Sequence, residues 1–147
     1  MKKYFVAVAL LFAGIVGAHA DGKERPITVD QLPKPAQEFV NTYFKDLTVA
    51  YAVEERDSFK EEYEVVFTDR TEVDFRQDGQ WKSVERKYSA LPEAIVPQQI
   101  RDYLTAQHYD NLEVRKIESK AYGWEVELSN GMEIEFDRNF KVVDIDF

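Results

Sequence analysis

From Ala36 onward, the apolar residues Phe39, Val40, Tyr43, Phe44 and Leu47 recur at spacings of three and four, the period of a helix that buries one face. Leu32-Pro33-Lys34-Pro35 stands just before them. Proline is tolerated only at a helix start, so the pattern predicts a helix over about 35–45. The period then drops to two. Val49, Tyr51 and Val53 alternate within 47–57, and further alternating runs follow at about 60–68, 71–76 and 80–86, which predicts four antiparallel strands joined by short turns.

The same order then returns. Val96-Pro97 matches Leu32-Pro33, and Ile100, Tyr103 and Leu104 match Ala36, Phe39 and Val40 at an offset of 64. Tyr63-Glu64-Val65-Val66-Phe67 and Thr71-Glu72-Val73-Asp74-Phe75 reappear as Trp124-Glu125-Val126-Glu127-Leu128 and Met132-Glu133-Ile134-Glu135-Phe136 at an offset of 61. The insertions fall in connections, as in a duplicated supersecondary unit. The expected organisation is one domain over 21–147 built of two repeats, about 32–87 and 91–147, with 21–31 an extended lead-in and Leu91–Ile95 a short helical turn. One short helix cannot cover four strands, so the copies must share a core. That predicts an α+β fold: a tandem duplication of a helix plus a four-stranded antiparallel unit, giving about eight strands in one curved sheet with the helices on one face.

Register follows from asking which hairpin loop keeps apolar residues facing apolar residues, because a one-residue slip exchanges the two faces. Three-residue loops at Thr68–Arg70 and Ser129–Gly131 pair Tyr63 with Phe75, Val65 with Val73, Trp124 with Phe136 and Val126 with Ile134. Gly131 and Arg70 then occupy the left-handed third position of such a loop, and a turn at 77–79 sets Trp81 across from Phe75. The opposite face becomes acidic: Glu64 lies across from Asp74, Glu125 from Glu135 and Glu127 from Glu133. Opposed like charges destabilise a sheet. Lysines and arginines on neighbouring strands are expected to relieve them, Lys82 at Asp74, Lys141 at Glu135 and Arg115 at Glu125.

Charge sharpens this picture. The chain carries a formal net charge of −9, and its first twenty residues hold Lys2 and Lys3 but no acid, so the remainder is more acidic still. Those twenty residues, with an apolar stretch from Phe5 to Ala18 and the small-residue exit Ala18-His19-Ala20, read as a secretory signal peptide cleaved at about Ala20. A periplasmic or secreted protein with no membrane span after cleavage is expected. Its acidity argues against nucleic acid and anionic membranes as partners and leaves a basic protein, a cationic peptide or a metal ion.

Catalytic and metal chemistry finds little support. There are no cysteines, and His108 is the one histidine beyond the leader, so N/S-type metal sites lack their parts and nucleophilic triads lack a base unless His108 serves. His108 stands where Phe44 stands in the first copy and reads as a partly buried packing residue. Asp137-Arg138-Asn139 and Asp144-Ile145-Asp146 lack the ligand spacing of a calcium loop. No cofactor and no enzymatic activity are expected, because carboxylates on an open solvated face are not raised in pKa by burial. Trp81, Trp124 and Tyr63 read as core. Tyr51, Tyr88, Tyr109 and Tyr122 lie near strand ends or connections, where any left exposed are candidate interface anchors.

The proline-started helix, then Tyr-Glu-Val-x-Phe / Trp-Glu-Val-Glu-Leu, the turn, Glu-x-Asp-Phe / Glu-Ile-Glu-Phe-Asp and a closing Val-Val-Asp-Ile-Asp resemble the PepSY-like family of exported, β-lactamase-inhibitor-like bacterial proteins. The resemblance covers about Leu32 to Phe147. It implies a fold like that of β-lactamase inhibitory protein, whose concave sheet embraces a partner, although this chain lacks that inhibitor's cysteines. The expected function is a non-enzymatic binding module that engages a basic protein or peptide through Glu64, Asp74, Glu125, Glu127, Glu133 and Glu135. Alternatives are regulation or inhibition of an exported peptidase through loops such as Arg56–Lys60, and binding of a small ligand or cation.

Overall fold

The computed structural model describes residues 24–147; the expected leader and cleavage site lie outside the described residues. Among the described residues nine strands form one antiparallel sheet whose spatial order is the chain order. They are β1 (Glu24–Ile27), β2 (Val49–Arg56), β3 (Glu61–Phe67), β4 (Thr71–Arg76), β5 (Trp81–Arg86), β6 (Val114–Lys120), β7 (Gly123–Leu128), β8 (Glu133–Asp137) and β9 (Val142–Asp146). Helix α1 (Lys34–Tyr43) precedes β2, and α2 (Gln98–Ala106) precedes β6, with a 3-10 turn at Glu93–Ile95. Both helices begin beside a proline, Pro33 and Pro97, whose missing N–H costs nothing there.

Ala36, Val40, Ile100 and Leu104 of the helices join Val65, Val73, Phe75, Ile117, Val126, Ile134 and Phe136 of the strands in one buried cluster. Phe39 meets Phe75 edge-on at 5.6 Å, and Tyr103 meets Phe136 edge-on at 5.3 Å, so each helix docks its half of the sheet with the same aromatic contact. Trp81, Trp124 and Tyr63 sit at the border of this core, half-buried. Trp124 stacks on Phe140 at 4.5 Å, with the Arg138 guanidinium above it.

The hairpin register is as the apolar pattern requires. Tyr63 pairs with Phe75 and Val65 with Val73; Trp124 pairs with Phe136 and Val126 with Ile134. Arg70 and Gly131 both carry positive φ, 66° and 88°, as the third residue of a three-residue loop demands. Asp69 and Asn130 each accept the backbone N–H two residues on, from Thr71 and Met132, which fixes the two loops alike.

Two features depart from expectation. The extended lead-in adds a strand, β1, giving nine strands where about eight were expected: Arg25 donates to buried Glu54 at 2.5 Å, and Arg56 reaches the other oxygen of that carboxylate at 3.0 Å. His108 is exposed rather than packed. Helix α2 ends there in a Schellman motif, the Tyr109 N–H on the Leu104 carbonyl and the His108 N–H on that of Thr105, which puts His108 at φ 60° and turns its side chain out. Tyr109, one residue later, packs against the core instead.

Candidate functional site

The helices cover one face of the sheet, and the pairing places all six predicted carboxylates on the other. Following paired positions across the strands, one row runs Glu64, Asp74, Ser83, Glu118 and continues through Glu125, Glu135 and Asp144. The neighbouring row runs Glu72, Glu85, Lys116, then Glu127, Glu133 and Asp146. Lys116 is the one cation within these two rows. Glu64–Asp74, Glu125–Glu135 and Glu127–Glu133 are opposed as the register predicts.

The cations that relieve them are not the expected ones, and a bulge is the reason for Lys82. At β4–β5 the register shifts between Asp74 and Phe75, so Ser83 opposes Asp74 while Lys82 reaches Glu62 at 3.1 Å. At β8–β9 it shifts between Glu135 and Phe136, and Asp144, not Lys141, faces Glu135. At β6–β7 it shifts between Val114 and Lys116, and Arg115 turns to Glu113 and the Lys87 carbonyl, both at 2.7 Å, instead of Glu125.

Contrary to the expectation of an open solvated face, burial raises two of its carboxylates, and Glu64 and Asp74 settle their opposition with a proton. Burial first, then the Asp74 charge, pushes the Glu64 carboxyl up to about 8; burial likewise pushes Asp74 up to about 6, although Lys82 and a hydrogen bond from Glu64 hold it back. Protonated Glu64 therefore donates to ionised Asp74. Tyr51 beside them is raised by burial and by the Glu64 charge, and Glu72 by burial and by Glu85.

Glu125, Glu127, Glu133 and Glu135 form part of a different feature, a trough of ≈ 790 Å³ between the β2–β3 loop and strands β6–β9. Among its lining residues carboxylates outnumber cations nine to five, so its field attracts positive charge. Lys120 bridges Glu125 and Glu135, the latter at 3.4 Å. Burial works against its charge, but the Glu125 bond with Glu118 and Glu135 nearby raises its pKa. Glu127 is raised by burial and by Glu133 across from it. Lys120→Met is expected to lower stability by about 1–2 kcal/mol at low ionic strength, a deficit that narrows in about 0.5 M salt as the uncompensated carboxylates are screened. Urea denaturation at both salt concentrations checks it.

The rim carries aromatic residues that the periodicity did not single out together. Phe59, 95% exposed, projects from the loop Asp57–Lys60, and Tyr122, 56% exposed, stands in the β6–β7 turn under the Lys120 amine. Phe59 was legible as the lone aromatic of a polar loop. Tyr51 and Tyr109 are half-buried, and Tyr88 is exposed away from the trough lining.

The α+β fold thus has one sheet face covered by helices and the other charged. Residues 61–144 match the family described as "putative beta-lactamase-inhibitor-like, PepSY-like". The chain belongs to the PepSY-like family. A solved structure of a "putative periplasmic protein" from Bacteroides vulgatus is 44% identical, covering 89% of this chain and 100% of that one, with a TM-score of 0.81. A "putative calcium-regulated periplasmic protein" from Bacteroides thetaiotaomicron is 40% identical over 84% of this chain and 97% of its own, with a TM-score of 0.80. Another Bacteroides vulgatus protein, of unknown function, is 30% identical over 84% and 99%, with a TM-score of 0.78. No curated protein matches. Among the described residues of this PepSY-like protein, no helix is long and apolar enough to cross a membrane, and no group of three or more metal-ligating side chains is assembled.

Proposed function

We propose that this PepSY-like protein is a non-catalytic periplasmic binding module, freed by cleavage at about Ala20, whose helix-free sheet face holds a basic segment of a protein or peptide. The observation that carries the reading is the trough, whose carboxylates exceed its cations and whose rim offers Phe59 and Tyr122 as anchors. Glu125, Glu127, Glu133 and Glu135 line it, and Glu64 and Asp74 extend the same row beyond it. Its halves are tandem copies of one helix-plus-four-strand unit, a reading supported by bulges in the first and last strand of each half and by the shared loop form. The periplasmic assignment is supported by the similarity to periplasmic Bacteroides proteins.

Capture from a periplasmic extract tests the reading. Partners held by the unaltered protein are expected to be lost by the Glu125→Lys, Glu127→Lys, Glu133→Lys variant and weakened by salt. Identical capture by both proteins at low and high salt sinks it. Loss on altering the loop Arg56–Lys60, with capture retained after the reversals, instead favours regulation of an exported peptidase through that loop, the reading that exposed Phe59 supports. Running the capture with and without calcium addresses the similarity to a calcium-regulated protein.

A further inference from the structure

The two edges of the sheet differ. Strand β1 is four residues long and includes Pro26, which brings no N–H, while Arg25 is tied to Glu54. Such an edge is blunted against further pairing. Among the described residues strand β9 is paired with β8 alone, and it carries neither proline nor lysine in Val142-Val143-Asp144-Ile145-Asp146. Its bulge falls at Val143, so from Asp144 onward it pairs regularly with β8 and presents an unpaired run of backbone groups on its other side.

The side chains along that edge are specific. Val143 is 58% exposed, Ile145 38% and Phe147 84%, and Ile145 lies across from buried Ile134 on the helix side of the sheet. Asp144 and Asp146 are the last members of the two carboxylate rows, and both line the trough. A tenth strand would continue each row by one position: its residues on the trough face meet Asp144 and Asp146, and its alternate residues meet Ile145 and Phe147. Opposite charges are favoured at such cross-strand positions, and like charges are not.

We infer that β9 is a docking edge for an extended peptide segment with alternating basic and apolar residues, added as a tenth antiparallel or parallel strand. The inference rests on the acidic-face reading and names how the basic segment is held. A second copy of the chain is the poorer occupant. Two-fold pairing of β9 with itself sets Asp144 and Asp146 against the same residues of the copy, in a chain whose net charge is −9.

The test uses the end-blocked peptide Lys-Val-Lys-Val-Lys and two N-methylated forms, one methylated on every lysine and one on every valine. A strand uses one edge for pairing, and alternate residues present their N–H groups to opposite edges. One methylated form is therefore expected to lose about tenfold in affinity while the other stays within about twofold. Amides of Asp144–Phe147 gain hydrogen-exchange protection on binding of the active forms. Equal affinity of all three peptides, abolished by Glu125→Lys, overturns strand addition while leaving the acidic-face reading intact. Loss in both methylated forms without protection in β9 also overturns it. Failure of the unmethylated peptide to bind sinks both readings. A dimer in sedimentation whose β9 amides are already protected gives the edge to a second copy and overturns the peptide assignment.

Discussion

Glu64→Gln is expected to raise the melting temperature at pH 8 and to flatten the gain in stability that the unaltered protein shows as pH falls from 8 towards 5. The folded state holds the Glu64 carboxyl at about 8 and Asp74 at about 6, against ordinary values of 4.5 and 3.8. Between those limits the folded protein keeps a proton that the unfolded chain releases. Stability from this pair is therefore full below about pH 4 and is lost as pH rises through about 6 and then 8. Glu72 and Glu127, also raised, act in the same direction. Glu61 and Asp69 are lowered, Glu61 by its hydrogen-bond partners and Asp69 against its own burial by Thr71 and Arg86, so their contribution fails only in acid. Glutamine keeps the donor facing Asp74 without a charge to bury, and the gain at pH 8 is on the order of 2 kcal/mol after solvent screening. Thermal melts at pH 5, 6, 7 and 8 measure it. An unchanged slope in the variant shows that Glu64 and Asp74 do not share a proton.

Gly123→Ala is expected to cost about 3 kcal/mol or more and to unfold a large fraction of the protein at 37 °C. Gly123 opens β7 and pairs with Asp137, and a Cβ there stands 1.7 Å from the Phe136 carbonyl oxygen and 2.7 Å from its carbon. Those atoms belong to the backbone of β8, and Phe136 is fully buried under Tyr103, so neither side of the contact can yield without breaking the core. Gly131→Ala is the matched control. It also has positive φ, yet nothing lies within 4 Å of its Cβ, and it is expected to cost only about 1 kcal/mol from backbone conformation. Urea midpoints of the two variants compare clash with conformation directly. Equal losses indicate that β7 does not approach β8 at this point.

The core and its register were legible because two similar hairpin sequences had to close on one loop length, and only the three-residue loop keeps Val65 on Val73 and Val126 on Ile134 together. Glu125–Glu135 and Glu127–Glu133 followed with no further information. The neutralising partners were not legible, because no residue type marks a bulge: Lys82, Ser83 and Val143 look like ordinary strand positions, yet one extra residue in β5 and another in β9 decides which charge faces Asp74 and Glu135. Strand β1 was hidden for a related reason. Four residues with a proline show no alternation, and their anchor, Glu54, lies 29 positions away in the chain. The shared proton of Glu64 depends on burial that only the assembled sheet supplies; Val53 beside it on β2 is itself buried.

Because the strands lie in chain order, every pairing joins neighbours in sequence, across either a short loop or one helical connection. No strand must wait for the far end of the chain, so the entropy of closing each contact stays small and the sheet is able to assemble hairpin by hairpin. The same order leaves the first and last strands unlinked. Between β5 and β6 the ladder has three paired positions, reinforced by Arg76, which donates to the Trp81 and Ser119 carbonyls at 2.9 and 2.6 Å. That seam joins α1 and strands β1–β5 to α2 and strands β6–β9, and the core buried beneath it draws on residues from both sides.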